Sequence, residues 1–248
     1  MKIEITVIIP FYDNFYLLKR CLNSVFKQTF KKYEIIIVYD NPKNKDNLLK
    51  LKKFIHKKNN IILIENNKNI GAGYSRNKAI KIATGKFIAF LDSDDTWKIN
   101  KLMTQYNFMK KNNLSISHTS YHIKILGNKF KKLRVAKNLQ YSELIKSCDV
   151  GLSTVMLNKN LLKNFYLFPN IKTKEDYVMW LRLSKRGYTF YALKKSLTNW
   201  TKTPGSLSSS ITQKLKDALK VYYIYERYNI INSIFKVFIL SINYLRKQ

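Results

Sequence analysis

A chain of 248 residues with 46% hydrophobic and 14% aromatic side chains can bury one large core, which excludes a globally disordered chain. The net charge of +31 comes mostly from lysines scattered among Asn and Ile, as AT-rich coding would produce, and Arg is scarce. Nucleic-acid binding is therefore not expected, whereas attraction to anionic membrane surfaces stays open.

In chain order, strands and helices alternate at first. Residues 3–9 are a β-branched strand run whose apolar stretch is broken by Glu4 and Thr6, without the basic start and long apolar stretch of a secretory signal. Phe15–Phe26 reads as an amphipathic helix, residues 33–38 as a second strand and residues 47–57 as a helix. Ile61–Glu65 is a short strand, residues 74–83 a helix and residues 86–91 another strand. This alternation predicts an α/β domain with right-handed crossovers and a mostly parallel sheet, with ligands at the carboxyl edge.

After Asp95 the pattern changes. Residues 97–111 read as a helix capped by Asp94, Asp95 or Thr96. Residues 115–126 and 129–135, joined at Gly127-Asn128, read as a β-hairpin. A short helix near residues 141–147 and a strand near 152–157 follow. The helix over residues 175–186 is closed by Gly187. Residues 188–193 are strand-like and residues 201–210 form a loop. Cys21 and Cys148 make no disulfide framework and fit a reducing cytoplasm.

The tail from Gln213 is expected to form two helices broken near Asn229. In the second, Asn232, Lys236, Asn243 and Lys247 fall on one side; Ile231, Ile234, Phe235, Phe238, Ile242 and Leu245 take the other. Polar interruptions argue against a transmembrane span. Packing of the apolar side on the domain is the preferred reading, and a bilayer surface is the alternative.

The chemistry-bearing signal is Phe90-Leu91-Asp92-Ser93-Asp94-Asp95, directly after a strand expected to be buried. Carboxylates two residues apart in a turn can meet one hard divalent cation, with phosphates and water filling its other sites. That suits a diphosphate leaving group. Capping of the next helix is the plainer use of the same acids. An EF-hand is excluded, because Trp97 and Met103 stand where Gly and Glu are needed. His118 and His122 lack the Glu of a His-Glu-x-x-His site and read as core or edge residues. No Walker-type loop or Gly-x-Gly-x-x-Gly fingerprint follows the first strand.

The acidic run resembles the DxD motif of the family 2 glycosyltransferases, and other segments match that family in order. Val7-Ile8-Ile9-Pro10-Phe11-Tyr12-Asp13 resembles the first strand and the turn under the nucleotide base. Residues 33–40 resemble the second strand, and Gly71-Ala72-Gly73-Tyr74-Ser75-Arg76-Asn77 resembles Gly-x-x-x-Ala-Arg-Asn. Glu175-Asp176 with the following helix resembles the acceptor-side Glu-Asp motif, and Pro204-Gly205-Ser206-Leu207-Ser208 a late loop over the donor phosphates.

The resemblance implies a GT-A fold over residues 1–210, with a nucleotide half to residue 95, an acceptor half from 96 and a helical tail over 211–248. It implies an inverting, metal-dependent transfer of sugar from a nucleotide-diphosphate donor to a hydroxyl of a saccharide or lipid-linked acceptor. Cell-surface polysaccharide or lipopolysaccharide synthesis, on the cytoplasmic side and peripheral to the membrane, is the expected setting.

On this reading Pro10 and Tyr12 lie at the base, with the Tyr12 ring stacked on it, and Asp40 accepts from the base ring N–H. Arg76 holds donor phosphate or orients the acidic loop. Asp92 contacts the ribose, Asp94 binds Mn²⁺ or Mg²⁺, and Asp176 is the general base. Glu175 and Ser206 are further loop candidates. Two departures stand out: Tyr39 replaces an acid at the second strand's end, and Thr203 stands where many relatives carry His. The competing reading is a non-catalytic GT-A-like protein that binds anionic membranes or polyanions.

Overall fold

The computed structural model describes residues 2–125, 130–162, 168–203 and 210–246. Its first half alternates β1 (Ile5–Phe11), α1 (Phe15–Phe26), β2 (Tyr33–Tyr39), α2 (Lys45–Ile55), β3 (Ile61–Glu65), α3 (Gly71–Ile82) and β4 (Phe87–Phe90). β1, β2 and β4 are buried along their whole length, as strands covered on both faces must be. Their alternate residues feed two separate cores. Val7, Ile9, Ile35, Ile37 and Ala89 meet Leu18, Leu22 and Val25 of α1 and Leu51 of α2 on one face. Ile8, Ile36, Val38, Ile88 and Phe90 meet Ala79 and Ile80 of α3 on the other.

The second half continues with β5 (Thr96–Trp97), α4 (Lys101–Lys111), β6 (Ile116–Ile125), β7 (Phe130–Arg134), α5 (Tyr141–Leu144), β8 (Met156–Asn158), α6 (Glu175–Lys185), β9 (Tyr191–Lys202), α7 (Ile211–Lys220) and α8 (Ile230–Leu245). Among the described residues one nine-stranded sheet runs in the order β3-β2-β1-β4-β8-β6-β9-β5, with β7 paired to β6. The pairs β3-β2, β2-β1, β1-β4 and β6-β9 are parallel; the others are antiparallel. The four parallel strands at one side give the α/β, GT-A-type half, whose carboxyl edge carries the ends of β1, β2 and β4.

Pro10 sits inside β1 without breaking a ladder bond. Phe11 O accepts from Asp40 N and Ile8 O from Leu91 N, so alternate residues face β2 and β4. Pro10 therefore faces the β4 side, beyond the last pairing of Ile8 with Phe90.

Several expectations are corrected. The helix expected from Trp97 begins at Lys101, because Thr96 and Trp97 pair with Asn199 and Thr198 of β9. Its N-cap is Asn100, which makes no side-chain capping bond, and not Asp94, Asp95 or Thr96. The strand expected near 152–157 is a 3₁₀ turn at Leu152–Thr154 followed by β8. The segment read as strand to 193 and loop from 201 is one strand, β9, running to Lys202. The hairpin of β6 and β7 is present, but its turn lies outside the described residues.

The helix ends behave as their chemistry requires. α1 starts at Asn14, a left-handed residue whose side chain accepts from Leu17 N. α6 ends at Gly187 with φ +87°: Gly187 N donates to Ser184 O and Tyr188 N to Leu183 O, a Schellman pair. α7 passes through a π turn at Val221–Tyr225 before the break ahead of α8. Ala218, Val221, Tyr222 and Leu240 of this tail belong to the same core as Trp180 and Phe90. α8 packs there through Ser233, Val237 and Leu240. The packing expected of Ile231, Ile234, Phe235, Phe238 and Leu245 does not occur, since all five face outward.

Candidate active site

Three consecutive turns of the carboxyl edge build the site. β1 ends at Phe11 and leads to Tyr12, which is half-exposed, and Asp13. β2 ends at Tyr39, followed by buried Asp40. β4 ends at Phe90 and runs straight into the acidic turn.

Asp40 is held by the protein. Its Oδ1 accepts from Asn66 Nδ2 at 2.8 Å and Ile70 N at 2.9 Å, and its Oδ2 accepts from Gly71 N at 2.8 Å. It thus satisfies free amides at the start of α3, where negative charge is favoured. A carboxylate has roughly four acceptor positions, so about one remains for a ligand. Asn66, just after β3, also donates to Ser75 Oγ at 3.1 Å, so the ends of β2 and β3 are both tied to α3.

Arg76, on α3, is the hub. Its side chain is 4% exposed; Nη2 donates to Asp92 Oδ1 and Nη1 to Glu175 Oε1, both at 2.7 Å. The ring of Phe168 lies 5.3 Å from the guanidinium. Burial works against the charge, but Asp92 and Glu175 outweigh it and hold Arg76 above its ordinary pKa. The guanidinium thus forms a charge-assisted fork between the acidic turn and the start of α6. The close approach of α3 to α6 needs Gly73, where a Cβ would stand 3.1 Å from Glu175 Cγ and 3.2 Å from Phe168 Cβ.

The three acids of the turn differ sharply. Asp92 is partly exposed and keeps one oxygen on Arg76. Asp95 is fully buried: Oδ1 accepts from Thr201 N at 2.8 Å and Oδ2 from Ser153 Oγ at 2.6 Å. Burial, with Asp94 and Asp92 nearby, pushes its carboxyl well up. Asp94 accepts from Thr203 Oγ1 at 3.2 Å, and its backbone carbonyl accepts from Arg20 Nη2 at 3.0 Å. Burial and the Asp92 charge raise the Asp94 carboxyl to about 6. Among the described residues no three His, Cys, Asp or Glu side chains form a metal cage. The half-open carboxylates of Asp92 and Asp94 in this crowded turn fit a hard cation that takes most of its ligands from a diphosphate and water.

Asp176 lies in the first turn of α6, after Lys174 in the left-handed conformation (φ 66°). Its Oδ1 accepts from Tyr177 N at 2.7 Å. Burial, reinforced by Glu175, raises its carboxyl to about 7 against the pull of Arg76. The chain Asp92–Arg76–Glu175 connects this turn to the acidic turn. Ser206 lies outside the described residues.

Residues that the sequence pattern did not single out complete the frame. Arg20 of α1 donates to Thr201 Oγ1 at 2.8 Å as well as to the Asp94 carbonyl. Ser153 Oγ accepts from Asp92 N while donating to Asp95. Asp217 of α7 is fully buried, and its Oδ2 accepts from Thr173 N and Thr173 Oγ1, both at 2.9 Å. The scarcity of Arg was a usable signal for Arg20; a serine in a 3₁₀ turn and an acid in the tail carried none. His118 Nε2 bonds the Lys137 carbonyl and His122 Nδ1 the Ser196 hydroxyl.

A parallel nucleotide-type half, an acidic turn after β4 and an acidic helix start joined to it by a buried arginine define a glycosyltransferase of the GT-A fold. The chain belongs to glycosyl transferase family 2, whose family profile matches residues 6–183. It is 32% identical over 224 residues to the putative teichuronic acid biosynthesis glycosyltransferase TuaG of Bacillus subtilis, covering 89% of this chain and 86% of that one. It is 36% identical over 181 residues to WfgD of Escherichia coli, a UDP-Glc:α-D-GlcNAc-diphosphoundecaprenol β-1,3-glucosyltransferase, covering 73% and 70%. Among solved structures, S. aureus TarS 1–349 with UDP-GlcNAc superposes with a TM-score of 0.75 at 21% identity, covering 95% of this chain and 70% of that one. The mannosyltransferase PcManGT of Pyrobaculum calidifontis, solved with GDP-Man and Mn²⁺, gives 0.70 at 13%, covering 96% and 70%.

Proposed function

We propose that this glycosyltransferase moves a sugar from a nucleotide-diphosphate donor to a hydroxyl of a saccharide or lipid-linked acceptor, with inversion, in building a cell-surface polysaccharide. The observation that carries the reading is the Asp92–Arg76–Glu175 bridge, which couples the donor-side turn to the helix start holding a carboxyl of pKa about 7. The named activities of TuaG and WfgD support the setting. The enzyme works on the cytoplasmic side, peripheral to the membrane.

In the mechanism Tyr12 stacks on the base, Pro10 shapes the turn beneath it, and the remaining acceptor position of Asp40 takes the base N–H. Asp92 holds the ribose with the oxygen that Arg76 leaves free. Asp94 is the protein ligand of a Mn²⁺ or Mg²⁺ ion, which when bound neutralises charge on the departing diphosphate. Asp176 takes the proton of the acceptor hydroxyl as its oxygen bonds to the anomeric carbon, whose bond to the diphosphate oxygen breaks. The nucleoside diphosphate leaves with that electron pair. Glu175 keeps Arg76 charged and Asp92 in position.

The test is turnover of a nucleotide-sugar panel by purified protein, with Mn²⁺ or a chelator. Asp94→Ala is expected to lose the metal dependence of donor binding. Asp176→Asn is expected to lose about 10²–10⁴-fold in kcat while donor affinity stays. Normal turnover in Asp176→Asn removes its role as base. Absence of turnover and of metal-dependent donor binding in the wild type favours the non-catalytic reading, which has only the basic surface to recommend it.

A further inference from the structure

α8 turns its apolar side away from the protein. Ile231, Ile234, Phe235, Phe238 and Leu245 are 58–76% exposed and recur at helical spacing, so they form one outward stripe. The exposed Tyr223 and Ile224 of the preceding π turn add to the apolar surface of the tail. Single exposed apolar residues are ordinary, but a stripe of five on one helix marks a surface that meets something apolar. At 16 residues, α8 is too short to span a bilayer, and no described helix is long and apolar enough to cross one.

Charge identifies the occupant. Residues 211–248 contain seven Lys and Arg but only two acids, Asp217 and Glu226. Both acids point inward: Asp217 to Thr173 and Gln213, Glu226 to Tyr141 and Lys185. The carboxylates are thus consumed by the fold, and the charge left at the surface of the tail is positive. Arg246 caps α8 beside the stripe, while Lys236, on the polar side of α8, and Lys214 of α7, 5.8 Å from the Tyr244 ring, stand farther round the helix. A second copy of the chain would bring the same cations face to face on a body of net charge +31.

We propose that α8 seats the protein on a bilayer surface rich in anionic headgroups, with the Phe235–Phe238 stripe in the acyl boundary and the lysines and arginines at the lipid phosphates. This deepens the peripheral placement proposed above by naming the surface, and it does not depend on the sugar-transfer reading. The helix lies in the plane of the interface, beside a core it shares with α6, so docking holds the acceptor half close to lipid.

Flotation of the full chain with phosphatidylglycerol/phosphatidylethanolamine vesicles, against phosphatidylcholine vesicles, tests it. The wild type is expected to float with the anionic vesicles, less with the neutral ones, and less at high salt. Phe235→Ser with Phe238→Ser is expected to weaken binding at least about tenfold with an unchanged circular dichroism spectrum, because both rings face solvent. In a separate variant, Phe235→Trp, the added indole is expected to be quenched by lipids brominated in the acyl chain. Three results overturn the proposal. These are no binding by the wild type, binding unchanged in the double variant, and a concentration-dependent dimer that the double variant breaks while vesicles leave the protein free. Binding unchanged in the double variant would leave the peripheral placement standing through another surface. Donor turnover measured without vesicles judges the sugar-transfer reading separately.

Discussion

At the residue scale, Asp176 and Arg76 answer opposite demands. Arg76 is buried between two carboxylates and stays charged, so its work is geometric. Asp176 is lifted from its ordinary 3.8 to about 7 by burial and by Glu175. A base must be ionised to act, so kcat/KM is expected to rise with pH and level off above about 7, as a pH–rate profile will show. Stability runs the other way. The fold holds this proton more tightly than the unfolded chain, so the group's favourable contribution is complete below the unfolded pKa and is lost as pH rises through about 7. Asp176→Asn is therefore expected to melt higher than wild type at about pH 8 and similarly at about pH 4, by calorimetry. An equal difference at both values would mean that Asp176 does not titrate in this range.

At the element scale, the entrance to α6 is held from two sides. Gly73 lets α3 approach it, and Asp217 of α7 takes both the amide and the hydroxyl of Thr173, just ahead of Lys174 and Asp176. Asp217→Ala leaves that buried amide without an acceptor, a loss of about 1–3 kcal/mol. The variant is expected to show a lower Tm and a reduced kcat with donor KM little changed, and Asp217→Asn, which keeps an acceptor oxygen, to recover much of both. An Asp217→Ala enzyme with lowered Tm but full kcat would limit the residue to stability. The same scale explains the misread helix start: Thr96 and Trp97 are claimed by β9, a strand about a hundred residues away in the chain, and no local pattern announces that pairing.

At the scale of the whole molecule, two cores share one sheet, and the tail contributes to one of them. Tyr177 O–H meets both the Leu144 carbonyl and Tyr222 O–H, and Tyr222 reaches the Ile145 carbonyl, so α5, α6 and the tail close around each other. A chain ending at residue 210 uncovers Tyr177 and its neighbours and is expected to melt several degrees lower than the full chain, or to aggregate. An unchanged Tm would show the tail to be an appendage. The outward stripe of α8 is the counterpart: the helix is anchored through Ser233, Val237 and Leu240, and the larger apolar side is left over.

The sequence by itself determined the parallel half, because strands buried on both faces and amphipathic helices leave periodic marks that need no distant partner. The acidic run after a strand and the Glu175-Asp176 helix start were legible too, but the roles expected of them came from the family resemblance, since helix capping is the plainer local use of both. The second half was less legible, since β5, β8 and β9 are strands only by virtue of what they pair with. Tertiary structure alone decided that Arg76 bridges Asp92 and Glu175, that Asp40 is largely spent on the start of α3, and that Thr203 reaches Asp94. It also decided which side of α8 faces out. Periodicity reveals that a helix has an apolar side, but whether that side is covered depends on the surfaces that the rest of the chain brings to it.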